Sequence, residues 1–376
     1  MGINEIIIYI MAFFMVIGAI DKCLGNKYGY GEKFEEGFIA MGALTLAMVG
    51  VISLAPVLAN LLRPVISPLY KILGADPSMF ATTLLAEDMG GYPLAMQLAE
   101  NPEAGRFAGL ILGAMMGPTI VFTIPVALGI IEKKDREYLA KGVLAGMITI
   151  PLGCLVGGIV AGFDIKMIIS NLLPIILFAV IISIGLWKWP DKMTHGFTIF
   201  GQGVVVIITI GLAAIVFETL TGIVVIPGMA PISEGIEVVG AIAMTLAGAF
   251  PLVHFITKVF NKPLLKMGEA LGMNEKAAAG LVATLANSIP MFGLMKEMDK
   301  RGKILNVAFA VSAAFVFGDH LGFTAGVDKA MIFPMVVGKL VGGVSAVVLA
   351  KFMYKNIKED NELELDSQKE MIGDCK

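Results

Sequence analysis

Glu87-Asp88-Met89-Gly90-Gly91-Tyr92-Pro93 sets two carboxylates, two glycines and a phenol into a stretch that is otherwise apolar. A carboxylate beside a helix break is what a site for a small organic cation or Na⁺ needs, because ionisable groups at membrane depth are costly and usually face a cavity or a partner. Asp88 is the leading candidate, the plainer reading being an interfacial acid that caps a helix. Its neighbour Glu87 points elsewhere on any helix. Gly90 and Gly91 let the backbone turn or approach a ligand. Tyr92 could turn its ring face to an ammonium or serve as an interfacial anchor. Further on, Asn287-Ser288-Ile289-Pro290 offers uncharged groups that could bond a substrate hydroxyl or cap a half-helix. Asp319-His320 is an adjacent acid and base that could carry a coupled proton or act as counter-ion, since histidine titrates near neutrality; at a surface the same pair would do nothing. Thr119, Thr123 and Thr324 are polar groups at related places, although helical threonine often bonds its own backbone. Lys339 is expected to pair with Asp319 or Asp328, or to snorkel outward.

Other chemistries find no support. Cys23, Cys154 and Cys375 lie far apart, so neither a disulfide framework nor a Cys-based metal site is expected. Gly201-Gln202-Gly203 is too short and too apolar in context to cradle phosphate, and no Walker motif is present. With no nucleophile motif and no metal cluster, an enzyme is not expected, nor any cofactor, bound metal or nucleic-acid partner.

The elements that must position these residues follow from composition. Hydrophobic residues make up 57% of the 376, charged residues 16%, and mean hydropathy is +0.84. A soluble chain of this kind could not cover itself with polar surface, so lipid is its solvent. Crossing about 30 Å of hydrocarbon takes roughly 20 mostly apolar residues. Nine such runs are expected as full transmembrane helices in an all-α polytopic protein: 3 to 20, 37 to 60, 106 to 130, 140 to 163, 167 to 187, 196 to 217, 236 to 257, 304 to 325 and 330 to 351. The first run follows Met-Gly-Ile-Asn-Glu, without a positive leader or a cleavage site, and reads as a retained span.

Lys and Arg concentrate on the cytoplasmic side of membrane proteins. With the N-terminus outside, and with 61 to 105 and 258 to 303 each returning to the side they left, 22 of the 28 Lys and Arg residues fall inside, as does the C-terminus. Sliding the chain by 198 positions lays Glu36, Gly37, Gly42, Ala43, Gly50, Leu73, Gly74 and Ala81 on Glu234, Gly235, Gly240, Ala241, Gly248, Leu271, Gly272 and Ala279. Three more residues of offset bring Gly117, Phe122 and Thr123 onto Gly318, Phe323 and Thr324. The pattern predicts two copies of one unit, 1–163 and 196–351, in opposite orientation, joined by a span and cytoplasmic loop at 164–195 and followed by a charged, disordered cytoplasmic tail at 352–376. Inverted repeats are a transporter design, because two similar halves can exchange inward-open and outward-open shapes.

Each copy also holds an apolar stretch too interrupted to span, 64–102 and 263–298, and each reads as a re-entrant helix, break and helix with Asp76 and Asn274 as helix-start residues. Membrane-surface loops are the alternative. Non-helical backbone at membrane depth survives only where protein buries it or a cavity solvates it, so the two breaks point to the site.

Three strings then carry a resemblance: Asn26-Lys-Tyr-Gly-Tyr-Gly-Glu-Lys-Phe-Glu-Glu-Gly37, Gly74-Ala-Asp-Pro-Ser-Met-Phe-Ala-Thr-Thr-Leu-Leu-Ala-Glu-Asp-Met-Gly-Gly-Tyr-Pro93 and Gly117-Pro-Thr-Ile-Val-Phe-Thr-Ile-Pro125. The chain resembles the bacterial ethanolamine-utilisation permease family, EutH, to about residue 355. The resemblance implies an ethanolamine permease of the bacterial inner membrane; it brings no site residues with it. Ethanolamine is an alkylamine that, like a lysine side chain, is mostly protonated at neutral pH. Asp88, Tyr92, Asn287 and Ser288 would offer it a carboxylate, a ring face and hydroxyl partners if the two breaks meet. Another small polar or cationic solute, and a channel-like facilitator, are the alternatives. Proton or Na⁺ coupling and homo-oligomerisation are left open by the sequence.

Overall fold

A computed structural model of the chain describes residues 2–355 and 357, the side chains of 260–262, 264, 265, 267, 269 and 270 excepted. The described part is all-helical, with no strand. The expectation of a disordered tail at 352–376 falls almost wholly outside the described residues.

Long apolar runs become long helices, because in lipid a helix bonds every backbone group within itself. They are α1 (Ile3–Cys23), α2 (Tyr30–Ile72), α8 (Arg136–Val160), α9 (Ile165–Lys188), α10 (Pro190–Thr221), α11 (Ile232–Ala270) and α16 (Ile332–Met353). Among the described residues, seven helices are thus long and apolar enough to cross a membrane. Between α2 and α8 come short pieces: α3 (Ser78–Leu84), α4 (Gly91–Leu98), α5 (Pro102–Phe107), α6 (Met116–Pro118) and α7 (Ile124–Ile130). Wide π turns continue α5 through Ala108–Leu112 and join α6 to α7 through Thr119–Thr123. Pro102–Leu112 and Met116–Ile130 together form an eighth apolar unit, bent by 42° at its break. Between α11 and α16 lie α12 (Glu275–Ala286), α13 (Ser288–Leu294), α14 (Lys300–Ala313) and α15 (Asp319–Val327).

The expected span at 304 to 325 is therefore not one helix. It divides into α14 and α15 where another part of the chain packs on it: Phe315 takes a left-handed φ of 63°, and Gly318 sits where a Cβ would lie 2.1 Å from the carbonyl oxygen of Ala286. A hydropathy window averages over such a break and cannot see it.

The interrupted segments are tied at their ends. The Asp76 carboxylate bonds the Ser78 amide at 2.9 Å and also accepts from the amides of Glu100 and Asn101, at 3.1 and 2.9 Å. Both ends of the 76–101 segment thus lie together. In the later segment Asn274 caps α12 through Ala277 N at 2.9 Å, and its own amide donates to Asp299 Oδ1 at 2.8 Å. Side-chain caps of this kind satisfy orphan amides at helix starts. The bundle closes by α2 packing on α11 and by α8 packing on α14 and α16. At one end a buried ion pair, Lys303 Nζ to Asp135 Oδ1 at 2.6 Å, locks α14 to the turn before α8.

Candidate functional site

The break after α3 meets the break between α14 and α15, while the break at Asn287 opens on a separate cavity that shares only Asp319 with it. α3 ends because Leu85 turns extended (φ −112°, ψ 141°), and a single 3₁₀ turn, Glu87–Met89, follows before Gly90 at φ 92° restarts the helix as α4. A side chain at Gly90 would be both strained and in collision with Val51. Glu87 N donates to Gly113 O at 2.9 Å, which stitches this turn to the break between α5 and α6. In the second half α12 ends as Asn287 turns extended (φ −158°, ψ 135°), and Phe315 N and Phe317 N donate to Thr284 O and Leu285 O at 3.1 and 2.9 Å. Gly117 against Leu85 and Gly318 against Ala286 are the points of closest backbone approach, neither with room for a Cβ.

A chamber of about 40 Å³ opens between these breaks. Asp88, Asp319 and His320 supply its polar wall, Phe122, Phe315 and Met89 much of its apolar one. The two phenyl rings stand edge to face, 5.5 Å between centroids. Such a space takes a group the size of an ammonium head or a few waters. Asp319 also lines a second, wider cavity of about 380 Å³ with Lys33, Glu36, His254, Asn287 and Pro290. One carboxylate thus borders both volumes.

Behind the chamber lies a buried charged set. Lys339 is 1% exposed; its ammonium donates to Ala114 O and lies 2.8 Å from His320 Nδ1. His320 Nδ1 is in turn 4.0 Å from Glu87 Oε1. Glu87 is fully buried and neither of its oxygens accepts a hydrogen bond of good geometry, the hydroxyl of Thr324 being the neighbouring donor. Lys339 and Asp88 are the charges that act on it. The expected pairing of Lys339 with Asp319 or Asp328 is not what forms. Asp328 is taken by Arg106, Nε to Oδ2 at 2.6 Å, and Lys339 reaches the carbonyl freed by the α5–α6 break instead.

The remaining candidates divide. Asp88, Asp319 and His320 come together in the chamber, with Glu87 just behind it. Tyr92 lies apart, its ring packed on Phe323 at 5.7 Å. Asn287 borders the wider cavity while its Oδ1 accepts from Ile289 N at 2.8 Å. Ser288 and Thr324 are buried with unpartnered hydroxyls. Thr119 is satisfied by Met115 O and Val311 O, at 2.9 and 3.1 Å. Gly90 and Gly91 shape the turn that carries Asp88, where a Cβ on Gly91 would lie 2.6 Å from two carbonyl oxygens. The aromatic pair Phe122 and Phe315 went unread as site residues because a phenylalanine in an apolar run carries no sign of facing a ligand. The one sequence signal was position: Phe122 belongs to the string that continues the internal repeat.

Long apolar helices enclosing a polar centre at two interruptions define a multi-pass helical membrane protein. More particularly, the chain belongs to the EutH family: residues 3–353 match the family described as "Ethanolamine utilisation protein, EutH". It is 68% identical over 96% of its length, and 97% of the relative's, to "Probable ethanolamine permease EutH" of Listeria monocytogenes serotype 1/2a. It is 54% identical, over 96% of its length and 97% of the relative's, to the protein of the same name in Escherichia coli strain K12. It is 55% identical, over 94% and 95%, to "Uncharacterized protein YxeR" of Bacillus subtilis strain 168. No solved structure matches the chain.

Proposed function

We propose that the chain is an ethanolamine permease of the bacterial inner membrane that works by alternating access, with Asp88 as the principal counter-ion of the substrate ammonium. The names of two close relatives support the substrate. The observation that carries the site is the chamber in which Asp88 and Asp319, from separate halves of the chain, share a wall with two aromatic rings. A protonated amine crosses hydrocarbon poorly. Two carboxylates replace its water, and ring faces add attraction that hydrocarbon cannot. The chamber is too small for more than the ammonium head, so the hydroxyl end extends toward the wider cavity, where Asn287 and Pro290 stand.

The two halves 1–163 and 196–351 act as inverted repeats about the connector 164–195. Support comes from the order of elements: a long helix with internal prolines, a short interrupted segment, a bent or broken unit and a long helix occur twice, as α2 to α8 and as α11 to α16. The tied ends at Asp76–Asn101 and Asn274–Asp299 support reading 64–102 and 263–298 as re-entrant. Repeats of opposite orientation can exchange conformations around a fixed site. The wider cavity borders Lys33 and His254, on the lysine-rich side taken as cytoplasmic. This arrangement corresponds to an inward-facing state, with the N-terminus outside and the C-terminus inside.

The test is counterflow of labelled ethanolamine in proteoliposomes holding the intact chain. Saturable exchange by the native protein and at least a tenfold weaker half-saturation for Asp88→Asn support the reading; near-normal affinity of that variant sinks the assignment of Asp88, and flux without counterflow means a channel. Asp319-His320 is the place where a coupled proton would reside. If collapsing the pH gradient at fixed membrane potential leaves uptake unchanged, that role is wrong and transport is uniport.

A further inference from the structure

A cavity of about 690 Å³, wider than the one beside Asp319, lies at the end of the bundle where α8 and α10 begin and where α9 and α16 end. Its floor is apolar, with Ala140, Leu144 and Leu186, while Lys133, Arg136 and Lys141 stand around it. Two acids, Glu137 and Asp191, also line it, and Glu137 is already bound to Lys141 at 2.5 Å. Lys141 is held further by the rings of Tyr138 and Tyr354, 5.8 and 5.9 Å from its ammonium. Among the described residues, Lys133 and Arg136 have no carboxylate within ion-pair distance. Lys133 and Arg136 therefore border the cavity without an ion-pair partner, with the carboxylate of Asp191 on the same lining but outside ion-pair distance of both.

The level of this cavity in the bilayer is marked by tryptophan. The chain has two, Trp187 and Trp189, and both are exposed at the turn between α9 and α10, Trp187 on the cavity wall. Tryptophan concentrates at the headgroup level. One helical turn from Leu144, Ile148 is exposed on α8, and Ile184 is exposed on α9. An apolar track thus leaves the cavity along the lipid-facing surface.

We propose that this cavity binds the headgroup of an anionic phospholipid, its phosphate between Lys133 and Arg136 and its acyl chains along Leu144, Ile148 and Ile184. Guanidinium offers paired donors to a phosphate and ammonium a point charge, so the two together suit a phosphodiester. Basic pockets between helices at the cytoplasmic face take anionic headgroups for the same reason. The bound lipid would join the ends of four helices drawn from both halves of the chain.

The experiment titrates the purified full-length protein, in zwitterionic detergent, with phosphatidylglycerol, phosphatidylcholine or inorganic phosphate. Thermal unfolding is followed together with retained lipid by native mass spectrometry. Phosphatidylglycerol is expected to raise the unfolding midpoint and stay bound, and Lys133→Gln/Arg136→Gln to weaken that response about tenfold. Both residues are exposed, so the variant is expected to melt like the native protein without lipid; should it not, Lys133→Arg/Arg136→Lys must retain the full response. A phosphatidylcholine response equal to that of phosphatidylglycerol, or a double glutamine variant that titrates like the native protein, overturns the proposal. Inorganic phosphate reproducing the shift and displacing the lipid at equal concentration overturns it too, in favour of a free-anion site.

Discussion

Asp88, on the 3₁₀ turn after α3, and Asp319, at the N-terminus of α15, line one chamber although they belong to opposite halves of the chain. Each is carried there by a helix that stops short. Neither carboxylate would reach the centre if α3 or α14 ran on as a continuous helix.

The two acids should differ in what they control. Asp88→Asn is expected to weaken ethanolamine binding at least tenfold, about 1.4 kcal/mol, because a charge-assisted bond becomes a neutral one. Asp319→Asn should slow counterflow more than it weakens binding, since Asp319 also borders the wider cavity. Equilibrium binding and counterflow on the same preparations separate the two effects; identical losses for both variants would contradict the division.

Removing a ring from the cage tests its part in recognition. Phe122→Leu keeps the wall apolar and close in volume, so a loss reports on the ring face rather than on packing. The expected cost is on the order of 1 kcal/mol, or about fivefold in half-saturation. A neutral analogue with hydroxyls at both ends should compete no worse against the variant than against the native protein.

Gly117 and Gly318 are predicted to tolerate no side chain. At Gly117 a Cβ would lie 1.9 Å from Leu85 O, and at Gly318 2.1 Å from Ala286 O, both backbone contacts that no rotamer relieves. Either Gly→Ala change should destabilise by about 1–3 kcal/mol and abolish uptake. Thermal unfolding in detergent measures the first, transport the second. Gly129→Ala, where nothing lies within 4 Å, is the control and should behave as the native protein.

Lys339 and Glu87 form a charge set without direct contact, linked through His320. Lys339→Met should strongly reduce folded yield, because breaking a buried charged group's balance costs about 3–5 kcal/mol. Glu87→Gln added to it should recover about 1–3 kcal/mol of that loss, the usual size of coupling within one network. Strictly additive effects in the unfolding midpoints of the two single variants and the double variant would mean that the groups do not sense each other.

Much of the bundle was legible in the sequence because lipid imposes a simple rule: an apolar run of sufficient length becomes a helix. α1, α9, α10 and α16 follow runs read directly. Asn274 was legible as a cap because the residue type and its place before an apolar run are local signals. The division of 304 to 325 was not, since it depends on the fit of Gly318 against Ala286, a contact between parts of the chain that no local window joins. The lining of the candidate chamber was half legible for the same reason. Asp88, Asp319 and His320 announce themselves as ionisable groups among apolar ones. Tyr92 could have faced a cation or served as an interfacial anchor, yet its ring packs on Phe323, while Phe122 and Phe315 were indistinguishable from the core until the breaks brought them together. Lys339 had acids within plausible reach in sequence, but Arg106 had already claimed Asp328.

Asp319 borders both the chamber and the wider cavity, and this bears on kinetics. On the proposed reading, a cation passing from one to the other would not have to shed its last counter-charge on the way, because a carboxylate that borders both volumes could turn with it. Side-chain rotation takes picoseconds to nanoseconds and collective helix motion microseconds to milliseconds. Departure of the solute would therefore be quick once the bundle is open on that side, and the turnover number would report the slower traffic of α3, α4, α12 and α13 rather than the strength of any single contact.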